Sequence, residues 1–295
     1  MRVAVTGTTG QLGGRLCSAS STGVAQGLTL LDCGRQIMDL GEPSSIPSAL
    51  DNLKPDVVLS CAAYTAVDAA EDDRETAFRI NGKAPGLLGR ACASRGIKVV
   101  HISTDYVFNG QGQSPYQADD PTGPTGVYGA SKLAGEQALF EALPTASVVR
   151  VGWLYDREGR NFLNTMLRLG SEREVLTVVD DQWGCPTHVG DFAEDLLHWI
   201  RLGSKEESAV AGIHHYGHTG ITTWHGFAKS IMERVHPQVQ VDPVSSHAFP
   251  TRARRPSYSK LDERSFFEKL GRSPISWEVA LNRCLDAKFA ETPPS

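Results

Sequence analysis

A doubly wound α/β fold, a parallel sheet covered by helices on both faces, is what the sequence predicts, and three observations carry it. Short apolar, β-rich runs alternate with helical patterns through the first half, the runs are apolar on both faces, and a cluster of glycines follows the first of them. The runs are "RVAVT" (2–6), "LTLLD" (28–32), "DVVLSCA" (56–62), "KVVHIS" (98–103) and "SVVRVG" (147–152). Helices are expected between them, near 11–20, 44–53, 75–95 and 128–143.

Beyond residue 153 the alternation loosens. "NFLNTMLRLG" (161–170) reads as a helix with a glycine stop, 176–187 as a strand leading into a loop, and 189–203 as an amphipathic helix. "GIHHYG" reads as a strand, "TTWHGFAKSIMERV" as a helix with a threonine cap, and "SWEVALNRCLDAKF" as a final helix opened by Ser276. Only the last few residues read as frayed. The expected division is a dinucleotide-binding unit over 1–152 and a smaller, mainly substrate-binding unit over 153–295, with segments near 176–203 returning to the main sheet.

The totals exclude several classes. A net charge of −5 and a pI near 6.0 over 295 residues argue against a general nucleic-acid or anionic-membrane binder. The six cysteines form no CxxC pair and are spread along the chain, so neither a zinc knuckle nor a disulfide framework is indicated, and buried thiols in a reducing compartment are expected. The strand begins at the second residue, and no segment offers the ~18 apolar residues of a membrane helix, so a soluble, cytoplasmic protein is expected. The histidines of "IHHYGHTG", with His188 and His225, match no paired zinc spacing, and no metal is expected.

In "VTGTTGQLGGRL", Gly7, Gly10 and Gly13 stand directly after the first strand and at the head of the first helix. Glycines in that context serve a tight turn, close approach of a pyrophosphate and helix packing, with helix-terminal N–H groups facing the anion; the fold class is therefore Rossmann-like. The second strand ends in Asp32, placed to hold ribose hydroxyls and favour NAD, while Arg35 could instead accept the 2′-phosphate of NADP. Preference between NADPH and NADH stays open, and solvated surface charge is the alternative for both residues.

In "VYGASKLAGE", Tyr128 and Lys132 stand four apart and share a helix face. A phenol is a poor proton donor or acceptor at neutral pH unless its anion is stabilised, and an adjacent ammonium does that. The fourth strand ends in Ser103 and Thr104, at the carboxyl edge where ligands of open α/β sheets bind.

TGxxGxxG, a hydroxyl ending the fourth strand and YxxxK 24 residues later together resemble the extended short-chain dehydrogenase/reductase superfamily. That resemblance implies that Thr104 holds the substrate carbonyl oxygen, that Tyr128 is the general acid or base, and that Lys132 lowers the tyrosine pKa and binds the nicotinamide ribose. It further implies that Asn81 supports the lysine; a polar residue facing solvent is the alternative. The ordered string "STDYVFNGQG…YQADDPTGPTGVYGASKLAGE", "VGWLY", "NFLNTMLRL", "DQWGCPT" and "ARRPSYSKL" is similar to the dTDP-4-dehydrorhamnose reductase family from residue 1 to about 285.

By this resemblance the reaction is hydride transfer from NADPH or NADH to the C4 ketone of dTDP-4-dehydro-L-rhamnose. Thr9, Gln11, Leu12, Asp39, Leu40, Ala62, Ala63 and Tyr64 join the glycines at the cofactor, and Val67, Thr104, Asp105, Trp153 and Arg255 meet the sugar nucleotide. Related dehydratases need an Asp–Glu pair after the threonine; here Asp105 and Tyr106 follow it, which disfavours dehydration. Arg252, Arg254 and Arg255 supply forks suited to a pyrophosphate, or form a solvated basic loop. Some family members dimerise through magnesium held by acidic residues that here are Arg15 and Gly190, so that bridge is not expected, and a monomer or a homodimer stays open. The other readings are a reductase of a related nucleotide 4-keto-6-deoxysugar and a non-catalytic dinucleotide-binding subunit.

Overall fold

A computed structural model describes residues 1–19 and 27–290. The expected frayed end, and the last residue of the first expected helix, lie outside the described residues. In chain order the main elements are β1 (Arg2–Thr6), α1 (Gln11–Ala19), β2 (Thr29–Cys33), α2 (Ser45–Leu53), β3 (Val57–Ser60), α3 (Val67–Asp72), α4 (Arg74–Ala77), a π-helical stretch (Phe78–Lys83), α5 (Ala84–Ala93), β4 (Lys98–Thr104), α6 (Val127–Ala142) and β5 (Ser147–Val151). There follow β6 (Leu154–Tyr155), α7 (Phe162–Glu172), β7 (Val175–Val179), β8 (Trp183–Gly184), β9 (Thr187–His188), α8 (Val189–Lys205), α9 (Glu207–Val210), β10 (Gly212–His215), β11 (Thr222–Thr223), α10 (Trp224–Val235), β12 (Gln240–Val244), α11 (Arg264–Leu270) and α12 (Trp277–Ala290).

Six parallel strands form the central sheet in the order β10-β5-β4-β3-β1-β2. The run reverses at β1, which lies between β2 and β3, and that switch point opens a crevice at the carboxyl ends of the strands. Alternation along each strand feeds two cores. Val3, Val5, Val57 and Leu59 face α1 and α8 through Leu16 and Phe192, while Ala4, Val58 and Val148 face α2, α5 and α6 through Ile46, Leu88 and Leu139. Strands apolar on both faces are thus accounted for by helices on both faces.

A third core joins α7, β7, α10 and α12 through Met166, Leu176, Ile231 and Leu281. Within the stretch 176–203 expected to rejoin the sheet, β7 pairs with β12 in a separate two-stranded sheet, whereas α8 does cover the main sheet. The strand that rejoins it is β10, parallel to β5. Chain position alone therefore does not divide the molecule at 152.

The expected helix over 75–95 is interrupted by the π-helical turn, a feature that polar and apolar periodicity does not reveal and that recurs at functional sites. It turns Asn81 inward: the side chain is buried, accepts from the Tyr64 N–H at 2.8 Å, and donates to the Tyr64 carbonyl and to Ser131 Oγ, both at 3.0 Å. The solvent-facing alternative for Asn81 is therefore excluded.

The run of small residues around Tyr128 has a packing cause. A Cβ at Gly129 would lie 2.1 Å from the Tyr106 carbonyl oxygen, and one at Gly135 would lie 2.0 Å from that of Asn81, so α6 touches backbone at both points. Gly135→Ala is expected to destabilise the fold by about 1–3 kcal/mol, the usual cost of overpacking. Urea denaturation of the variant checks this; an unchanged midpoint would show that α6 has room to move.

Candidate active site

Thr104 is the last residue of β4, and Tyr128 and Lys132 lie on the first turns of α6, so strand end and helix face open on the switch-point crevice. The resulting cleft encloses about 1010 Å³, enough for a large ligand. One end is the glycine turn. Gly7 has φ +68°, a conformation that glycine adopts without strain, and a Cβ at Gly13 would lie 2.3 Å from the Gly7 carbonyl oxygen. The turn can therefore close onto α1 only with glycines at these positions, and it delivers the N-terminus of α1 to the cleft.

Nearly all the expected site residues line this cleft: Gly7, Thr9, Gly10, Gln11, Leu12 and Gly13, then Asp32, Arg35, Asp39 and Leu40, then Ala62, Ala63 and Val67. Thr104, Asp105, Tyr128, Lys132 and Trp153 complete the opposite wall. Two expected residues do not line it. Tyr64 packs its ring beside Ala70, Ala77 and Val127, its backbone clamped by Asn81. Arg255 stands behind Tyr106, whose hydroxyl it approaches at 3.4 Å, and is ion-paired to Asp68 at 2.5 Å. Arg252 pairs with Asp72, so two of the expected pyrophosphate forks already hold α3.

Asp32 accepts from Thr8 Oγ1 at 2.7 Å and from the Gly34 N–H at 2.9 Å, which fixes its carboxylate at the tip of β2. Arg35 is largely exposed and only loosely paired with Asp39, at 3.9 Å.

The acid–base groups are strongly perturbed. Burial pulls the Lys132 ammonium down to about 8, against the opposing pull of Glu136. Its Nζ donates to the Ile102 carbonyl at 2.7 Å and lies 3.1 Å from His101 Nε2. Burial and the Lys132 charge push His101 well down, so this ring is neutral; an Nδ1 proton donated to Ser60 Oγ at 3.1 Å leaves Nε2 to accept from the lysine. Burial raises the Tyr128 phenol, and Asp105 and Tyr106 add to the rise, while a hydrogen bond with the Thr104 side chain opposes it. The expected lowering of the tyrosine by Lys132 is therefore not what governs it in this arrangement, because the ammonium is directed to β4 instead. A raised phenol stays protonated at neutral pH, the state a proton donor requires.

Asp105 is buried, which lifts its carboxyl to about 6 against the hydrogen bond that Thr104 donates to its Oδ1 at 3.0 Å. Its Oδ2 has no hydrogen-bond partner and packs on Gly152, where a Cβ would come within 2.6 Å. Next in the chain, Trp153 holds φ +52°, a conformation rarely tolerated by a bulky residue, with its ring stacked on Trp224 at 3.6 Å and its Nε1 donating to Ser259 Oγ at 3.1 Å. Trp153 lines the cleft, with the Trp224 ring stacked on it.

Sequence reasoning missed the charged layer beneath the site. His101 was legible as a lone histidine in an apolar central strand, and Glu136 as an acid one turn beyond Lys132 on the same helix face. Arg150, which pairs with Glu136 at 2.7 Å, looked like any strand residue.

The model of the RmlD substrate binding domain family matches residues 1–289. The chain is 40% identical to a dTDP-4-dehydrorhamnose reductase of Burkholderia thailandensis, covering 97% of this chain and 98% of that one. Among solved structures, it superposes on a dTDP-4-dehydrorhamnose reductase from Clostridium acetobutylicum with TM-score 0.88 at 33% identity, covering 97% and 99% of the two chains. One from Bacillus anthracis in complex with NADP gives TM-score 0.87 at 36% identity, covering 99% of each. Agreement that runs unbroken from the glycine turn to the final helix makes this chain a member of the RmlD substrate binding domain family, to which dTDP-4-dehydrorhamnose reductases belong.

Proposed function

We propose that the protein reduces the C4 ketone of dTDP-4-dehydro-L-rhamnose to dTDP-L-rhamnose with NADPH or NADH. The observation that carries the reading is the convergence of Thr104, Tyr128 and Lys132 on one cleft that begins at a glycine turn, in a chain of this family. The donor set suits a dinucleotide: helix-terminal amides for the pyrophosphate and Asp32 at the tip of β2 for ribose hydroxyls. The nicotinamide, when bound, supplies the hydride.

The chain's own residues handle charge and protons. Thr104 and Tyr128 hydrogen-bond the ketone oxygen, Tyr128 gives its proton as that oxygen gains negative charge, and Lys132, one helical turn on and lining the same cleft, adds a positive charge to that wall. Trp153, backed by Trp224, presents a flat apolar surface to the deoxysugar. Arg255, held by Asp68, orients Tyr106 at the edge of the cleft. No helix among the described residues is long and apolar enough to cross a membrane, and a cytoplasmic site of action fits a substrate made from nucleotide precursors.

The test is oxidation of NADPH and NADH with substrate generated in situ and the product identified by NMR. Consumption with a rhamnose product supports the reading. A different stereoisomer would assign the enzyme to another 4-keto-6-deoxysugar, and dinucleotide binding without consumption would make it a non-catalytic subunit.

A pH dependence follows from Lys132. Its charged form is penalised by burial, so the ammonium is present below about pH 8 and lost above it. Activity is therefore expected to fall as pH rises through about 8, while the tyrosine is still protonated. A kcat/KM profile flat to pH 10 would show that the lysine charge is not used.

A further inference from the structure

Away from the cleft, three side chains distant in sequence meet in the interior. Asp156, just after β6, His188, at the end of β9, and Cys284, on α12, are all buried, and one ligand atom from each lies within 4.8 Å of the other two. We propose that these three residues bind a divalent transition-metal ion of zinc type, joining the β6 end, the β9 loop and the last helix.

One thiolate, one imidazole and one carboxylate suit a borderline-soft ion, and hard ions such as magnesium prefer oxygen alone. Asp156 Oδ1 lies 3.7 Å from His188 Nε2, close to the spacing of two ligands around a tetrahedral ion with bonds of about 2 Å.

His188 Nδ1 faces the Asp191 carboxylate at 3.1 Å, which leaves Nε2 directed to Asp156 and Cys284. Nδ1 and the Asp191 oxygen are not aligned for a hydrogen bond, and a small turn of the ring would align them, the arrangement that fixes a metal-binding histidine's tautomer and raises its basicity. The Tyr155 ring stands beside His188, centroids 5.7 Å apart, and its buried hydroxyl has no hydrogen-bond partner. Asp156 and Cys284 provide two negative charges to offset the dication, and Arg15, 4.0 Å from Asp156, faces Asp156 from α1.

The site is internal to one chain. It uses neither position 15, an arginine, nor position 190, a glycine whose Cβ would lie 2.6 Å from the His188 ring.

The experiment is titration of the full-length protein, stripped of metal with chelator, with Co²⁺ and then Zn²⁺. The expected result is one Co²⁺ per chain with a tetrahedral visible spectrum and a thiolate charge-transfer band, displaced by Zn²⁺. Cys284→Ser, which preserves side-chain size, is expected to abolish the band, and Asp191→Asn to weaken Zn²⁺ binding by about 10–100-fold, as loss of such an outer partner does. Circular dichroism checks that both variants fold. Substoichiometric binding, a six-coordinate cobalt spectrum, or a charge-transfer band unchanged in Cys284→Ser would overturn the proposal and leave the cluster an internal ion network.

Discussion

Replacing Tyr128 with phenylalanine is expected to lower turnover by a hundredfold or more, within the ~10²–10⁴ range for loss of a general acid, with dinucleotide affinity near that of the unaltered protein. The ring stays in place, since its edge-on contact with Tyr106, centroids 5.6 Å apart, involves no hydroxyl. What disappears is the proton donor, while Thr104 keeps its bonds to Asp105 and the Tyr106 N–H. The alkoxide that forms must then find a proton from water in a cleft walled in part by Trp153. Single-turnover oxidation of NADPH, read beside fluorescence titration of the dinucleotide, separates chemistry from binding. Near-normal turnover would remove Tyr128 from the role assigned to it.

The two ends of the cleft differ in how far they were legible in the sequence. The glycine turn and Asp32 are local features, a strand followed at once by a helix, so spacing alone locates them. The pairing of Tyr128 with Lys132 was legible from helical period, but not the direction of the ammonium, because His101 and the Ile102 carbonyl come from another element. Arg255 read as a pyrophosphate fork because the sequence does not show that Asp68, 187 residues away, already holds it. The π-helical turn escaped for a related reason. It adds a residue to one turn, a phase shift that the four-residue α4 before it is too short to display, and the contact of Asn81 with Tyr64 and Ser131 reveals its effect. Asp156, His188 and Cys284 carried no local signal at all, since 32 and 96 residues separate successive members.

The charged layer below α6 gives the other large expectation. Glu136 and Arg150 each expose only 2% of their side chains and pair at 2.7 Å, with a second bond from Arg150 Nε at 3.0 Å and the Ser103 hydroxyl donating to the same carboxylate. Glu136→Ala strands a guanidinium in the interior beside the Phe108 ring, 5.1 Å away, and is expected to cost about 3–5 kcal/mol. The double variant Glu136→Leu with Arg150→Met, which removes both charges and keeps volume, is expected to recover most of that loss. Denaturant unfolding of the three proteins decides it: a single variant losing under about 1 kcal/mol would mean that water reaches the arginine. Glu136 also reaches the chemistry, because its charge is the leading influence holding the Lys132 pKa up against burial. In Glu136→Gln, which keeps the shape, Lys132 loses its proton more readily, so the alkaline fall in kcat/KM is expected to begin at lower pH. A loss of stability without that displacement would confine Glu136 to the fold; both together make the buried pair the support on which the lysine keeps its charge.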